Sequence, residues 1–325
     1  MPNMLIKYQT PRRWGHKKVC LHQFVPDNNN QANIRRHMHT EHNISEITID
    51  SLLRHSATEL KKNSTSARLD VELLLGHVLR KTRVELITAS KDLVTPENAA
   101  LFTNLVRRRQ EGKPVAQLVG SREFWSLNLA VTTDTLIPRP ETEILVECAL
   151  THIPKDQPAD FLDLGTGSGA IALAVATERP NIHITATDIN DRTLAIAKYN
   201  AAALKLAHIE FQCGSWFQPV AGRKFSTIVA NPPYVSDMEY VVHKFELQHE
   251  PTLALRGGED GLDCIKTIIE QAPKHLFNDG WLAIEHGYRQ GPIVEILLRE
   301  AGFRSIFSYS DLQGHARVTE GKLTT

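Results

Sequence analysis

The stretch DFLDLGTGSGAIALAVA, residues 160–176, joins two apolar runs through a loop that contains three glycines. The first run is typical of a buried strand, and the longer second run is typical of a buried helix. Glycine lets the backbone turn tightly and lets a ligand approach it closely. The stretch therefore predicts a strand–loop–helix unit whose loop lies against a ligand.

Strand-like and helix-like segments alternate on both sides of this unit. Strand-like IHITATD, FSTIVAN and GWLAIEHG are interspersed with helix-like ETEILVECALTHI, DRTLAIAKYNAAALK and GPIVEILLREAGF. Such alternation predicts an α/β fold, with a parallel sheet that carries helices on both faces. In open sheets of this class, ligands bind at the carboxyl ends of the strands.

The glycine spacing differs from the dinucleotide fingerprint G-x-G-x-x-G, because Ala170 stands where a third glycine would be and Gly169 comes one residue earlier. Asp188 ends the next strand, 19 residues after Gly169. A carboxylate there accepts hydrogen bonds from the ribose hydroxyls of an adenosine ligand; alternatively, Asp188 or Asp191 caps the following helix. No P-loop lysine accompanies the glycines, which favours an adenosine ligand without phosphates, S-adenosylmethionine.

The segment IVANPPYVS, residues 228–236, ends a strand on Asn231, Pro232, Pro233 and Tyr234. The two prolines fix φ and remove two N–H donors, so that neighbouring carbonyls are left as acceptors. The Asn231 side-chain oxygen adds an acceptor, and Tyr234 adds a flat wall. This arrangement suits a planar NH2 group as the methyl acceptor. The residues alone leave adenine N6, cytosine N4 and a glutamine amide as alternatives.

Length and charge predict several regions within the 325 residues. Residues 1–43 carry seven Lys/Arg and two Asp/Glu, a balance of +5, which leaves −5 for the remainder. We predict that residues 1–43 are a disordered extension, with a mitochondrial presequence as the alternative. A helical substrate-docking domain is expected at 44–115, a β-hairpin linker at 116–136 and the α/β domain at 137–325.

Several classes of protein are disfavoured by composition. The four cysteines form no C-x-x-C pair, which predicts a reducing compartment and no metal site. No apolar run reaches the 18 or more residues of a membrane span. The slightly acidic body is poorly suited to gripping nucleic acid. We therefore expect a cytoplasmic protein, or a protein of the mitochondrial matrix if residues 1–43 are a presequence.

A wider set of motifs resembles the protein release factor glutamine methyltransferase family. The motifs are FWSLNLAVTTDTLIPRPETEILVE, DLGTGSGAIALA, VANPPYV, EPTLALRGGEDGL, LAIEHG and RVTEGK, and ARLDVELLLGHVLRKTRVELI resembles the family's N-terminal helical domain. The resemblance covers roughly residues 45–325. It implies a Rossmann-like, S-adenosylmethionine-dependent methyltransferase domain preceded by a small helical domain. It also implies that the substrate is the Gln of the Gly-Gly-Gln motif in peptide chain release factors, a modification that supports translation termination.

The resemblance also implies roles for individual residues. Cofactor-binding residues would be Gly165, Thr166, Gly167, Ser168, Gly169, Asp188, Trp216 and Asn231. Asn231, Pro232, Pro233 and Tyr234 would bind the substrate, with Asn231, Pro232 and Tyr234 as the catalytic residues. The segment IPRPETE would line the entrance, with Arg139 and Glu141 near the cofactor or ordering the loop. His286 lies at a strand end, and its position favours a packing role over the alternative role of a proton acceptor.

Three rival functions remain open from the sequence. A sister family with the same NPPY motif would methylate glutamine on a ribosomal protein, although LIPRPETE and the helical domain favour the release-factor branch. DNA adenine N6-methylation would need a basic groove that the sequence does not suggest. A non-catalytic binding module would keep the fold, but the intact glycines, Asp188 and Asn231 argue against it.

Overall fold

The computed structural model describes residues 47–206 and 208–324. The predicted extension at residues 1–43 lies outside this part of the chain. The chain from Glu46 onward forms one compact unit, and the predicted boundaries within it stay predictions. None of the described helices is long and apolar enough to cross a membrane.

Helices form the N-terminal part of the described chain, as the sequence predicts. They are α1 (Ile49–Leu60), α2 (Ala67–Leu79), α3 (Arg83–Thr88), α4 (Pro96–Gln110) and α5 (Val115–Val119). The Thr95 side chain caps α4 by accepting a hydrogen bond from the Asn98 amide, and Pro96 occupies the first turn. The helices share an apolar core in which Leu74 and Phe102 are fully buried.

A two-stranded hairpin follows α5. Its strands are β1 (Ser121–Phe124) and β2 (Leu127–Ala130). The two residues between the strands, Trp125 and Ser126, have φ of 53° and 58°, as the central residues of a type I′ turn do. The prediction of strands over 116–136 holds only for the hairpin at 121–130: residues 116–119 belong to α5, and residues 131–136 form no strand. A single helical turn bounded by Pro114 and by Gly120 (φ 77°) is too short for its periodicity to be distinguished from that of a strand.

A seven-stranded sheet forms the centre of the remaining chain. Its strands are β3 (Asp160–Leu164), β4 (His183–Asp188), β5 (Glu210–Cys213), β6 (Phe225–Ala230), β7 (Leu276–Glu285), β8 (Phe303–Ser310) and β9 (Ala316–Leu323), in the order β5-β4-β3-β6-β7-β9-β8. The helices of this part are α6 (Glu143–His152), α7 (Ala170–Glu178), α8 (Asp191–Ala203), α9 (Asp237–Val242), α10 (Lys244–Leu247), α11 (Asp263–His275) and α12 (Gly291–Glu300). The predicted α/β class is confirmed.

The sheet is mixed, so the prediction of a parallel sheet holds only for β3 to β7. β9 runs antiparallel to both β7 and β8. β8 and β9 are separated by only five residues, 311–315. A connection of this length makes a hairpin, because a parallel crossover needs a dozen or more residues.

The order in which successive strands are added to the sheet reverses at β3. β4 and β5 lie on one side of β3, while β6 and β7 lie on the other, all parallel. β3 is buried on both faces: Phe161 packs with α6 and α7, whereas Leu162 packs with α11 and α12. The loops after β3, β4 and β6 therefore meet at a topological switch point, where such sheets bind ligands.

Candidate active site

The glycine-rich loop connects β3 to α7 at this switch point. Gly165, Gly167 and Gly169 have φ of 72°, 59° and 86°, in the left-handed region that favours glycine. The amides of Gly165 and Thr166 donate to the Thr187 carbonyl of β4 at 2.8 and 2.9 Å. A Cβ on Gly167 would meet nothing within 4 Å. The loop is thus held to the sheet while Gly167 faces open space.

Asp163, within β3, holds the glycine-rich loop through hydrogen bonds. The sequence analysis did not single it out. Its Oδ2 accepts hydrogen bonds from the Thr166 hydroxyl at 2.6 Å and from the Ala172 amide at 3.2 Å. Burial raises the pKa of Asp163 to about 7, although these hydrogen bonds oppose the shift. The available signal was an acid between two leucines of a buried strand, which predicts a specific polar partner.

Asp188 lies at the carboxyl end of β4, beside the loop. Its two carboxylate oxygens accept hydrogen bonds from the amides of Gly167 and Asn190, each at 3.0 Å. Burial raises the pKa of Asp188. The helix cap that the sequence left open between Asp188 and Asp191 is in fact Asn190, which accepts from the Arg192 amide. Asp188 is therefore not needed as a cap.

A cavity of about 230 Å³ opens at the carboxyl ends of β3, β4 and β6. Six residues singled out from the sequence line it: Gly165, Gly167, Asp188, Trp216, Asn231 and Pro233. Asp134, Leu136, Ile189 and Leu253 also line it, and the sequence analysis missed them. Asp134, Leu136 and Ile189 lie on loops between elements, and Leu253 lies in a single 3-10 turn, Thr252–Ala254, so no local pattern marks any of them.

Other residues singled out from the sequence support the cavity without lining it. Thr166, Ser168 and Pro232 are buried, and Gly169 lies at the start of α7. The Ser168 carbonyl accepts a hydrogen bond from Asn200 at 2.9 Å. These positions fix the backbone of the two loops rather than present side chains to a ligand.

Trp216 forms a flat wall of the cavity. Its ring lies 3.4 Å from the position that a Cβ of Gly165 would occupy. Trp216 has a φ of 45°, which is uncommon for a bulky residue, and its carbonyl accepts from the Thr187 hydroxyl at 3.2 Å. The strained backbone is thus anchored to β4, and the indole lies beside the glycine loop.

Asn231 follows β6 directly and reaches the cavity with its side chain. Its Nδ2 donates to the Thr142 hydroxyl at 3.2 Å. This contact uses the amide nitrogen and leaves Oδ1 free for another partner. Within the described part of the chain, no hydrogen bond is made to the Pro232 carbonyl either. The segment therefore presents hydrogen-bond acceptors, as the sequence predicts.

Tyr234, expected from the sequence to form a flat wall of the site, is not among the residues that line the cavity and packs against the core on the α11 side of the sheet. Its hydroxyl donates to Glu285 Oε1 at 3.2 Å. Burial raises the pKa of the Tyr234 phenol well above its usual range, and the adjacent Glu285 carboxylate adds to the shift. Tyr234 therefore remains a neutral donor at physiological pH.

The IPRPETE loop is held by an ion pair that the sequence analysis missed. Arg139 pairs with Glu250, whose Oε2 also accepts from the Ile137 amide at 2.9 Å. The Glu250 side chain is only 2% exposed. Arg139 thus orders the loop and is not among the residues that line the cavity. No local sequence pattern pairs two residues 111 positions apart.

Glu250→Ala should lower the free energy of unfolding by about 2–4 kcal/mol, because it leaves a buried amide and a partly buried guanidinium without their acceptor. Urea denaturation would measure the change. Glu259→Ala, at an exposed glutamate, is the matched control and should change stability by less than about 0.5 kcal/mol. Equal stabilities of the two variants would contradict the role assigned to Glu250.

His286 is fully buried after β7, with both ring nitrogens partnered. Nδ1 lies 2.9 Å from the Gly287 carbonyl, and Nε2 lies 2.7 Å from the Thr319 hydroxyl. The carbonyl can only accept, so Nδ1 carries the proton and Nε2 accepts from Thr319. Burial lowers the pKa of His286. These contacts fit the packing role expected from the sequence.

A second polar cluster lies between α6 and β9. It consists of Cys148 and His152 of α6 and Glu320 of β9. Glu320 Oε2 lies 2.6 Å from His152 Nε2 and 2.8 Å from Cys148 Sγ, and Tyr309 donates to Oε1 at 2.9 Å. The potential ligand atoms lie within 4.8 Å of one another. The hydrogen bonds account for the cluster, and the expectation of no metal stays a prediction.

Comparisons with known proteins agree with the geometry. Residues 141–259 match the family model Methyltransferase small domain, and residues 51–120 match PrmC N-terminal domain. The chain is 43% identical over 272 residues to Release factor glutamine methyltransferase of Coxiella burnetii, covering 84% of this chain and 98% of the relative. It is 44% identical over 275 residues to the protein of that name from Pseudomonas aeruginosa, covering 85% and 98%.

A solved structure supports the fold alone. The catalytic domain of hMettl16, in complex with MAT2A 3'UTR hairpin 6, is 15% identical with a TM-score of 0.51, covering 74% of this chain and 86% of that chain.

Proposed function

The chain belongs to the release factor glutamine methyltransferase family, since relatives at 43% and 44% identity span most of both chains, and we propose that the cavity beside Asn231 is where it acts. The protein is an S-adenosylmethionine-dependent protein-(glutamine-N5) methyltransferase, and it methylates a glutamine of a release factor. The observation that carries the site assignment is the juxtaposition of Asn231 with the glycine loop in one cavity.

The cavity residues fit S-adenosylmethionine. Gly167 faces open space, so the backbone can approach a ligand closely. The Asp188 carboxylate lies where it can accept from the ribose hydroxyls, and the Trp216 ring offers a flat surface to adenine. We propose that Gly165, Thr166, Gly167, Ser168 and Gly169 form the cradle through their backbone, with Asn231 at its substrate end.

Asn231 and Pro232 hold the substrate amide in this proposal. The Asn231 Oδ1 atom and the Pro232 carbonyl accept its two N–H groups, while Pro233 and Tyr234 keep the backbone rigid. An amide nitrogen is a poor nucleophile because its lone pair is conjugated, so orientation must supply much of the rate. The cofactor, when bound, supplies an electrophilic sulfonium methyl group.

The same acceptors act on the transition state. As the amide nitrogen forms its bond to carbon, it gains positive charge, and its N–H groups become stronger donors. The hydrogen bonds to Asn231 and Pro232 therefore strengthen in the transition state, which is the condition for catalysis rather than mere binding. The nitrogen finally releases one proton, for which water suffices.

The preferred target is the Gln of the Gly-Gly-Gln motif, and the helical region α1–α5 helps to dock the release factor. The separate match of residues 51–120 to an N-terminal domain model supports a distinct role for these helices. Methylation of this Gln would support translation termination. The proposal requires neither nucleic acid nor a metal, and it places the enzyme in the cytoplasm.

A labelled-methyl assay tests the substrate. Purified enzyme and labelled S-adenosylmethionine are incubated with a release factor, either wild type or with the Gln of Gly-Gly-Gln changed to Ala. Label on the wild-type factor alone is expected. Label on a ribosomal protein or on DNA, with none on the release factor, would move the substrate to one of the rivals and overturn the proposal.

A further inference from the structure

Residues 236–255 leave the sheet edge directly after the NPPY segment and return to it. The Val235 amide donates to the Leu255 carbonyl, and the Gly257 amide donates to the Val235 carbonyl, each at 2.9 Å. These bonds close the base of the excursion beside Asn231. The returning half lines the cavity with three residues: Pro251, Leu253 and Ala254. The excursion is therefore continuous with the candidate active site.

Polar contacts fix one side of α9, the first helix of the excursion, to the returning chain. Asp237 pairs with Arg256 at 2.7 Å, and the Arg256 guanidinium lies 5.6 Å from the centre of the Tyr240 ring. The hydroxyls of Tyr240 and Thr252 are hydrogen-bonded at 3.2 Å. The Ser236 side chain caps the helix. A helix of six residues is not stable alone, so these contacts hold α9 against the cavity wall.

The side of α9 that is turned to solvent carries three apolar residues. Met238, Val241 and Val242 are 77%, 71% and 71% exposed. They are spaced i, i+3 and i+4 and therefore share one helical face, which we call the α9 patch. Leu253, which lines the cavity, is also 63% exposed. Because α9 buries none of its residues, the patch adds nothing to the core. Exposed apolar patches of this kind mark interaction sites.

We propose that the α9 patch docks the release factor by contacting apolar side chains that flank the methylated glutamine. The proposal rests on the function proposed above and adds where the protein substrate lies. A glutamine that enters the cavity with its side chain leaves its flanking residues across the cavity mouth. α9 begins six residues after Asn231, a stretch that spans at most about 20 Å. The α9 patch is therefore within reach of those flanking residues.

The chemistry of the α9 patch selects an apolar occupant. Its three side chains carry no charge, and Asp237 and Arg256 on the fixed side are paired with each other. A charged segment would lose hydration at the patch without gaining a partner. A second copy of the enzyme, or closure of α9 over the cavity, would cover the patch in a different way. The experiments below distinguish these occupants.

The triple variant Met238→Gln/Val241→Gln/Val242→Gln tests the proposal. The patch does not touch the reacting atoms, so its contacts stabilise the bound substrate and the transition state equally, and their loss raises KM at unchanged kcat. We expect KM for the release factor to rise by about 10-fold or more, the effect of losing a central interface residue. Initial rates of labelled-methyl transfer at saturating S-adenosylmethionine would measure it. Because the three side chains are exposed and glutamine favours helices more than valine does, the variant should fold normally.

Leu312→Gln is the matched control. Leu312 is 95% exposed between β8 and β9 and does not line the cavity, so its variant should keep the wild-type KM. An unchanged KM in the triple variant, while the wild type methylates the release factor, would overturn this proposal alone. A loss of affinity for S-adenosylmethionine at unchanged KM would assign the patch to closure over the cofactor and would also overturn it. No transfer by the wild type would instead overturn the proposed function.

Photo-cross-linking identifies the occupant directly. p-Benzoylphenylalanine incorporated at position 241 should couple to the release factor within about six residues of the methylated glutamine, the extended length between Asn231 and α9. The same group at position 312 should not couple to it. Peptide mapping by mass spectrometry would locate the adduct. Coupling from position 241 to a second copy of the enzyme, or no coupling to the release factor, would overturn the proposal.

Discussion

Asn231→Ala should lower kcat by about 10²–10³-fold, the size of effect found when a positioned transition-state hydrogen bond is removed. The variant loses Oδ1, the side-chain acceptor that we propose for the substrate amide. Single-turnover transfer of labelled methyl groups to the release factor would measure the loss. Affinity for S-adenosylmethionine, measured by calorimetry, should stay within a few-fold of the wild type, because the glycine loop and Asp188 remain.

The matched control is Asn104→Ala, at an exposed asparagine of α4, which should leave both quantities unchanged. If Asn231→Ala lost cofactor binding while its unfolding curve stayed normal, Asn231 would be a cofactor ligand rather than the residue that positions the substrate.

Asp188→Ala should have the opposite effect: it should weaken the binding of S-adenosylmethionine and leave kcat at saturating cofactor nearly unchanged. Removing the carboxylate takes away the proposed acceptor for the ribose and leaves the Gly167 and Asn190 amides without their partner. Hydrogen bonds to charged groups contribute about 1.5–3 kcal/mol, so the dissociation constant for S-adenosylmethionine should rise by about 10–100-fold. Calorimetric titration would measure it. At saturating cofactor, kcat should recover most of its wild-type value.

Asp191→Ala is the control, since Asp191 is exposed at the start of α8 and does not line the cavity. It should bind the cofactor as the wild type does. An unchanged affinity in Asp188→Ala would rule out the ribose contact, and an equal loss in both variants would point to damage to α8 instead.

The two variants separate the two halves of one cavity. The β3 and β4 ends hold the proposed cofactor residues, while the β6 end holds Asn231, the proposed acceptor for the amide.

Local patterns in the sequence were enough for much of the site. The glycines, Asp188 and the NPPY segment each end a recognisable strand, and parallel strands bring their carboxyl ends to one edge.

By itself the sequence determined the α/β class, the order of the strand–helix units and the loops that carry the site, because turn chemistry and hydrophobic periodicity act between near neighbours. Only the tertiary structure decided that β9 lies antiparallel beside β7, that Thr142 contacts Asn231 and that Glu250 holds Arg139. These pairs join residues far apart in the chain, and their contacts depend on the strand order and on which loops it brings together. The direction in which Asn231 presents its amide belongs to this second group.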